Sequence, residues 1–207
     1  MIEKNTMPLR GVWKIDETAD ELLDFFKNEE DVSRAALAIR SENRRREWLA
    51  VRRLTDTLLG KRSQITYEAN GSPVLPDSSF KISISHTKGF AAVVLSEFQR
   101  TGIDIEYHSE RAFRLRNRFL GPAELNVLAS YGNNKDLATV FWCAKESFFK
   151  ALGRQGVDFI KDMHIISSPS FADTEGEFLI EESITPDGRI CSVAFTITPD
   201  YILTWMT

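Results

Sequence analysis

Cysteine is scarce in this chain of 207 residues, and its scarcity excludes a good deal. Only Cys143 and Cys191 are present, far apart, so no disulfide framework is expected and a reducing compartment is the simpler setting. The few Cys and His residues show no spacing that suggests zinc. Long apolar runs are also missing. The longest, 90–95, is too short to span a bilayer, and the opening residues Met1 to Asn5 have no signal-peptide apolar region. A soluble cytoplasmic protein with no membrane role is the expectation. A net charge of −4 and a pI near 5.5 argue against a general nucleic-acid binder. There is no Gly-x-x-x-x-Gly-Lys-Ser/Thr run, which excludes a P-loop enzyme, and there is no low-complexity tract or exact repeat.

What is present is core-forming mass. Hydrophobic residues make up 43% of the chain, with fourteen Phe and four Trp, enough for one large domain or two of about 100 residues. Near the middle lies Gly102-Ile103-Asp104-Ile105-Glu106, which reads as a strand. Alternation sends Ile103 and Ile105 into a core and sets Asp104 and Glu106 on the other face, about 7 Å apart. Two carboxylates so placed repel unless a cation sits between them, and Mg2+ takes such ligands together with substrate phosphates. The alternative is a surface strand whose acids face water.

Along the chain, 11–16 reads as a short strand, and 17–26 and 33–39 as helices. Ser41 opens a helix to Leu59 that Gly60 ends, and Arg44, Arg45, Arg46, Arg52, Arg53, Lys61 and Arg62 crowd it. That cluster is either a solvated face or a meeting place for a phosphate-rich ligand. Asn70-Gly71 marks a turn leading into an irregular loop with Pro73 and Pro76. Residues 80–85 and 90–95 read as a hairpin whose tip carries Ser85, His86 and Lys88. A turn His is either simply solvated or, beside a hydroxyl and an amine, part of a site. Arg111, Arg114, Arg116 and Arg118 follow the acidic strand. Pro122 then starts a helix with Glu124 near its third position, where an acid complements the helix dipole. Residues 136–152 form a helix apolar nearly all round, yet it contains Lys145, Glu146 and Lys150. Glu146 and Lys150 are i and i+4, so one reading is a simple helical ion pair; because buried charges are expensive and this helix has little exposed face to offer, the other reading, function, is favoured. Residues 163–166, 176–184, 190–198 and 201–205 alternate as antiparallel strands, with a Pro186-Asp187-Gly188 turn.

Acids able to hold Mg2+ beside bases able to hold phosphate are the parts of phosphoryl-group chemistry. With these residues in view, the chain resembles the 4′-phosphopantetheinyl transferases, of the longer type that activates peptide and polyketide synthetases. Asn70-Gly71-Ser72-Pro73 looks like the family's Asn-Gly-x-Pro, and 80–87 looks like its Ser-His strand. Gly102 to Glu106 matches Gly-[Ile/Val]-Asp-Ile-Glu, and 119–124 resembles Phe-x-x-x-x-Glu. Trp142-Cys143-Ala144-Lys145-Glu146-Ser147-Phe148-Phe149-Lys150 resembles Trp-x-x-Lys-Glu-x-x-x-Lys, and 46–52 extends the match upstream. One departure is the spacing of Gly153 and Gly156, separated by two residues where the family has one.

The resemblance implies an α+β pseudo-dimer of two similar halves, 1–100 and 101–207, with the active site in the cleft between them. It implies Mg2+-dependent transfer of phosphopantetheine from coenzyme A to a serine of an apo acyl or peptidyl carrier protein, by a chain expected to be monomeric. The metal falls to Asp104, Glu106 and Glu146, and the pyrophosphate to Lys150 with Lys145 from another face. Arg46, Arg52, Ser85 and His86 fall to the nucleotide, and the serine proton to Glu146 or to a metal-bound water held by Glu124. The Arg111 to Arg118 group is the candidate carrier-docking surface. The rival readings are a Mg2+-dependent phosphohydrolase and a non-catalytic coenzyme A binding protein.

Overall fold

The structure is a computed structural model that describes residues 8–97, 100–167, 173–185 and 188–206. It is a mixed α/β protein with two main sheets, each covered by a helix of 18 residues, and one small two-stranded ribbon. The first sheet contains β1 (Leu9–Lys14), β4 (Lys81–Thr87) and β5 (Phe90–Ser96), in the order β1-β5-β4, all antiparallel. Between β1 and β4 come α1 (Ala19–Asp24), α2 (Glu30–Ala38), α3 (Glu42–Leu59), and the two-residue strands β2 (Thr66–Tyr67) and β3 (Pro73–Val74). These two small strands pair across the Asn70-Gly71 turn, where an irregular loop was expected.

The second sheet contains β6 (Ile103–Tyr107), β7 (Met163–Ile165), β8 (Glu175–Glu182), β9 (Arg189–Ile197) and β10 (Tyr201–Met206), in the order β6-β10-β9-β8-β7. Between β6 and β7 lie α4 (Arg111–Leu115), a 3-10 turn at Arg116–Arg118, α5 (Pro122–Ser130) and α6 (Lys135–Leu152). Both sheets follow one local plan. A strand leads through a long helix to a hairpin, and the hairpin's second strand returns beside the first: β5 beside β1, β10 beside β6. Of the turn expected between β8 and β9, Pro186 and Asp187 lie outside the described residues, as does Gln99 before β6.

The two long helices start and stop for the same reasons. Ser41 Oγ accepts from Arg44 N–H to cap α3, and Asn134 Oδ1 accepts from Asp136 and Leu137 N–H to cap α6. Each ends at a left-handed residue, Gly60 or Gly153, a conformation that a side chain would strain.

Alternation along the strands sorts the core. On β5, Ala91, Val93 and Leu95 pack with Leu49, Val51 and Leu54 of the α3 layer, while Ala92 and Val94 turn the other way. There they meet Ile103 and Ile105 of β6 and Leu203 and Trp205 of β10, in an apolar layer joining the two sheets. Ile202 and Met206 face the α6 layer with Cys143, Ala144 and Phe148. Consequently Asp104 and Glu106, opposite Ile103 and Ile105, face away from the joining layer. Gly102 is glycine for a local reason: a Cβ there would collide with the Ser147 carbonyl, so its absence lets β6 lie directly against α6.

Where the sheets adjoin, β4 and β6 run parallel, and side-chain hydroxyls replace a backbone ladder. Ser83 Oγ accepts from Ile103 N–H at 3.2 Å, and Thr87 Oγ1 accepts from Tyr107 N–H at 3.3 Å. This partnership carries β4 through Thr87. Ser85 and His86 therefore sit within a strand and not at a hairpin tip, and Lys88-Gly89 alone makes the turn. Among the described residues, no helix is long and apolar enough to cross a membrane.

Candidate active site

Three elements converge on Asp104, which is 6% exposed. Its Oδ1 accepts from Ser85 Oγ of β4 at 2.7 Å and from Lys150 Nζ of α6 at 2.8 Å. Lys150 also donates to the Ile103 carbonyl at 2.8 Å, so its ammonium bridges the backbone and the side chain of β6. The i,i+4 partnership of Glu146 with Lys150 yields to this longer-range one. Among the described residues, Asp104 Oδ2 is buried and has no nitrogen or oxygen donor, the weakly donating Cys143 thiol being the one hydrogen-bonding group noted beside this carboxylate. An unpaired carboxylate oxygen away from water is costly, and a cation is the usual remedy.

The neighbouring carboxylates carry the same strain. Burial, then the charge of Asp104, pushes the Glu146 pKa up to about 7, against the pull of Lys150. Burial and Asp104 also raise Glu106, while the Thr87 hydroxyl, at 3.3 Å, and the Trp142 indole pull it down. Burial, then the charges of Asp104 and Glu106 and a side-chain hydrogen bond to Asp104, push the Cys143 thiol well up, so it stays protonated. The three acids thus share a cluster with more negative charge than Lys150 balances. Among the described residues, no group of three or more His, Cys, Asp or Glu side chains is arranged to hold a metal ion by itself. Mg2+ needs no such group: it binds one or two carboxylates, keeps waters and takes substrate phosphate oxygens. The orphaned Asp104 oxygen and the two raised acids fit that ion.

Two cavities flank Lys150. One of about 250 Å3 is lined by Gly71, Pro73, Ser83, Phe149, Lys150 and Gly153, and another of about 150 Å3 by Ser72, Phe80, Lys81, Arg100, Thr101 and Lys150. The Asn70-Gly71-Ser72-Pro73 turn therefore borders the same space as α6. Asn70 Nδ2 also donates to the Gly153 carbonyl at 3.4 Å.

His86 points to the opposite face of β4 from Ser85, toward the first turn of α3. Its Nε2 touches the Arg44 guanidinium, which can only donate, so Nε2 accepts and the proton sits on Nδ1, 3.4 Å from Glu47. Burial and the positive charges of Arg44 and Lys150 hold its pKa below the ordinary value, against Glu47 and Asp104. Arg44 and Glu47 were not singled out from the sequence. What identifies them is helix phase: they lie three apart, on the turn of α3 that meets β4.

Other candidates lie elsewhere. Arg46 donates to the Glu17 carbonyl at 2.6 Å and the Ile15 carbonyl at 2.7 Å, tying α3 to the chain after β1. The Arg52 guanidinium lies 3.2 Å from the centre of the Trp48 ring, on a different cavity. Lys145 is fully buried and turned away from Asp104. Its Nζ donates to Glu124 Oε2 at 2.7 Å, to the Phe119 and Phe159 carbonyls at 2.8 Å, and to Met163 O at 3.0 Å. Glu124 is equally saturated, accepting from Gly121 N–H at 2.7 Å and Ile165 N–H at 2.9 Å. Burial lowers the Lys145 pKa and Glu124 opposes that fall. Of the arginines after β6, Arg114 pairs with Glu110 at 2.8 Å and Arg116 lies over Phe113. Arg111 lines a small cleft beside Glu106 and Trp142.

No curated protein matches the chain. The model of one family, described as the 4′-phosphopantetheinyl transferase superfamily, matches residues 100–204. That span holds β6, α4 to α6 and nearly all of the second sheet, hence Asp104, Glu106, Glu146 and Lys150 together. The chain therefore belongs to the 4′-phosphopantetheinyl transferase superfamily.

Proposed function

We propose that this chain transfers the 4′-phosphopantetheine group of coenzyme A to a serine hydroxyl of an apo acyl or peptidyl carrier protein, with Mg2+. The observation that supports it most is Asp104, with one oxygen held by Ser85 and Lys150 and the other orphaned beside Glu106 and Glu146. Asp104, Glu146 and Glu106 would hold the metal, which when bound offsets negative charge gathering on a diphosphate.

The serine oxygen forms a bond to the phosphorus bearing the pantetheine arm, and the bond from that phosphorus to the bridging oxygen breaks. Adenosine 3′,5′-bisphosphate leaves with that electron pair. Glu146 is the better candidate to take the serine proton, because it borders the Asp104 cluster whereas both oxygens of Glu124 are engaged elsewhere. Glu124 has both oxygens engaged and serves with Lys145 to fix the backbone between α5 and β7. Lys150, in direct contact with Asp104 and bordering both cavities, is placed to meet the diphosphate. Ser85 and His86, joined by Arg44, are proposed at the nucleotide, with the Asn70 to Pro73 turn. The local plan repeated in the two sheets supports a pseudo-dimer with the boundary near residue 100. A cleft built within one chain makes a monomer the natural state, acting in the cytoplasm, where fatty-acid, peptide or polyketide carriers would be served. The exposed Arg111, Arg114 and Arg118, beside the acid cluster, would receive an acidic carrier; reversing two of them to Glu should weaken carrier binding and spare coenzyme A.

The test is incubation with Mg2+, coenzyme A and an apo carrier, read by intact mass. The carrier should gain one phosphopantetheine, and without carrier the coenzyme A should stay intact. Coenzyme A hydrolysed in the absence of carrier would indicate a phosphohydrolase instead.

A further inference from the structure

The proposed reaction leaves Cys143 without a role, although it sits against the acid cluster. It is fully buried on α6, in the apolar cluster of Val140, Ala144, Phe148 and Ile202. Positions 143, 146, 147 and 150 follow the i, i+3, i+4, i+7 pattern, so Cys143, Glu146, Ser147 and Lys150 share one helical face. That face is turned to β6. The Ser147 carbonyl lies where a Cβ at Gly102 would fall, and Lys150 reaches the Ile103 carbonyl and the Asp104 carboxylate. Two turns before Lys150 on the same face, the Cys143 side chain hydrogen-bonds that carboxylate too.

The donors around Asp104 are unequal. Ser85 and Lys150, a hydroxyl and an ammonium, both go to Oδ1, at 2.7 and 2.8 Å. Among the described residues, no nitrogen or oxygen donor reaches Oδ2. The thiol therefore attends a carboxylate whose second oxygen the strong donors leave open. An S–H group is a weak donor. It offsets only part of the cost of burying a carboxylate oxygen, and it gives way readily to a stronger partner. A hydroxyl at the same place would hold on harder, and a methyl group would offer nothing.

We propose that Cys143 is a positioning residue: its thiol occupies the open side of the Asp104 carboxylate in the metal-free protein and yields that side to a divalent cation. The inference rests on the metal-binding reading of the cleft given above. It makes the sulfur a tuner of cation affinity that acts through Asp104, neither a metal ligand nor a nucleophile.

Two measurements on the full chain, without coenzyme A or carrier, test it. The first is the S–H stretching band in Raman spectra. The chain has two cysteines, so a Cys191→Ser background leaves Cys143 as the only thiol. A donating S–H stretches at lower frequency than a free one. In the metal-free protein the band should lie below the free-thiol position, and both Asp104→Ala and saturating Mg2+ should move it up. The second is calorimetric titration with Mg2+. The dissociation constant should fall about threefold in Cys143→Ala and rise about threefold in Cys143→Ser, the scale of one weak hydrogen bond. A purely structural thiol would give no such order, because both substitutions disturb the packing in the same sense. A metal-free band at the free-thiol position, or Mg2+ affinities that do not fall in the order Ala, Cys, Ser, would overturn the proposal. The metal-free band needs no cation, so it is decided apart from the transferase reading, which wild-type Mg2+ binding and the carrier assay test. It also decides the matter if neither Cys143 variant folds.

Discussion

Two lysines on α6, five residues apart, make the same kind of ion pair and serve opposite ends. Lys145 is sealed against Glu124 and three backbone carbonyls, and every oxygen of Glu124 has a donor. Lys150 remains 27% exposed, and its partner Asp104 keeps one oxygen bare. The difference is one of satisfaction. A saturated buried pair has nothing left to offer a ligand and holds backbone in place, here the segments around Phe119, Phe159 and Met163. An unsaturated pair at a cleft is poised to bind.

The largest contrast comes from removing one member of each pair. Asp104→Ala should lower the transfer rate by about 10³-fold with a smaller loss of stability, because the lost bonds to Ser85 and to the partly exposed Lys150 are offset by removal of an unpaired buried oxygen and of a charge that repels Glu106 and Glu146. Lys145→Met should do the reverse. Stranding the Glu124 charge in the core costs about 3–5 kcal/mol, a fall in Tm of roughly 6–20 °C for a chain of this size. Folded Lys145→Met protein should retain a near-normal kcat at low temperature. Calorimetry and steady-state kinetics on the two variants together check the distinction; an Asp104→Ala protein that unfolds as readily as Lys145→Met would erase it. Lys150→Ala should be intermediate, losing about 10²-fold in rate, with partial recovery in Lys150→Arg.

These roles could be read from the sequence only in part. The 3.6-residue period and the caps made α3 legible from Ser41 to Gly60, a nearly unbroken apolar circumference made α6 legible, and alternation made most of β4 to β6 legible. The Asp104 and Glu106 pair, with Glu146, stood out because acids in apolar elements are rare. What separates Lys145 from Lys150 was not legible, since both are lysines on one apolar helix. The oxygens that claim Lys145 come from residues 119 to 163, brought there by tertiary folding. Arg44 was hidden among seven cations for the same reason: only the docking of α3 on β4 decides which one meets His86. The end of β4 was misjudged as a turn because His-Thr-Lys-Gly is polar, yet Ser85 and Thr87 find their partners on β6.

A smaller effect sharpens the comparison through pH. Glu146 must be ionised to accept a proton or hold a cation, and burial beside Asp104 sets its pKa at about 7. Mg2+ affinity of the metal-free protein should therefore rise with pH and level off above about 7, falling tenfold per unit below it. The sign for stability is opposite. A carboxyl whose folded pKa is raised holds its proton more tightly when folded, so its contribution is present below about 4.5 and is lost as pH climbs through about 7. Added Mg2+ should restore Tm at pH 8 more than at pH 5, and Glu146→Gln should remove that difference. Equal Mg2+ stabilisation at both values would separate Glu146 from the metal site.

The smallest change tests whether Asp104 is positioned as well as charged. Ser85 Oγ donates to Asp104 Oδ1 at 2.7 Å from β4, in the first sheet, and so links the two sheets at the reacting cleft. Ser85→Ala removes one hydrogen bond to a carboxylate, worth about 1.5–3 kcal/mol, but Lys150 still holds the same oxygen, so the observed loss should fall at the low end. A rate reduction of about tenfold, with the apparent Mg2+ affinity weakened and Tm lowered by only about 3–6 °C, is expected. Ser85→Thr, which keeps the hydroxyl, should recover most of it. If Ser85→Ala instead lowers Tm strongly and leaves Mg2+ affinity alone, Ser85 belongs with Lys145 as a structural tie, and Asp104 owes its orientation to α6 alone.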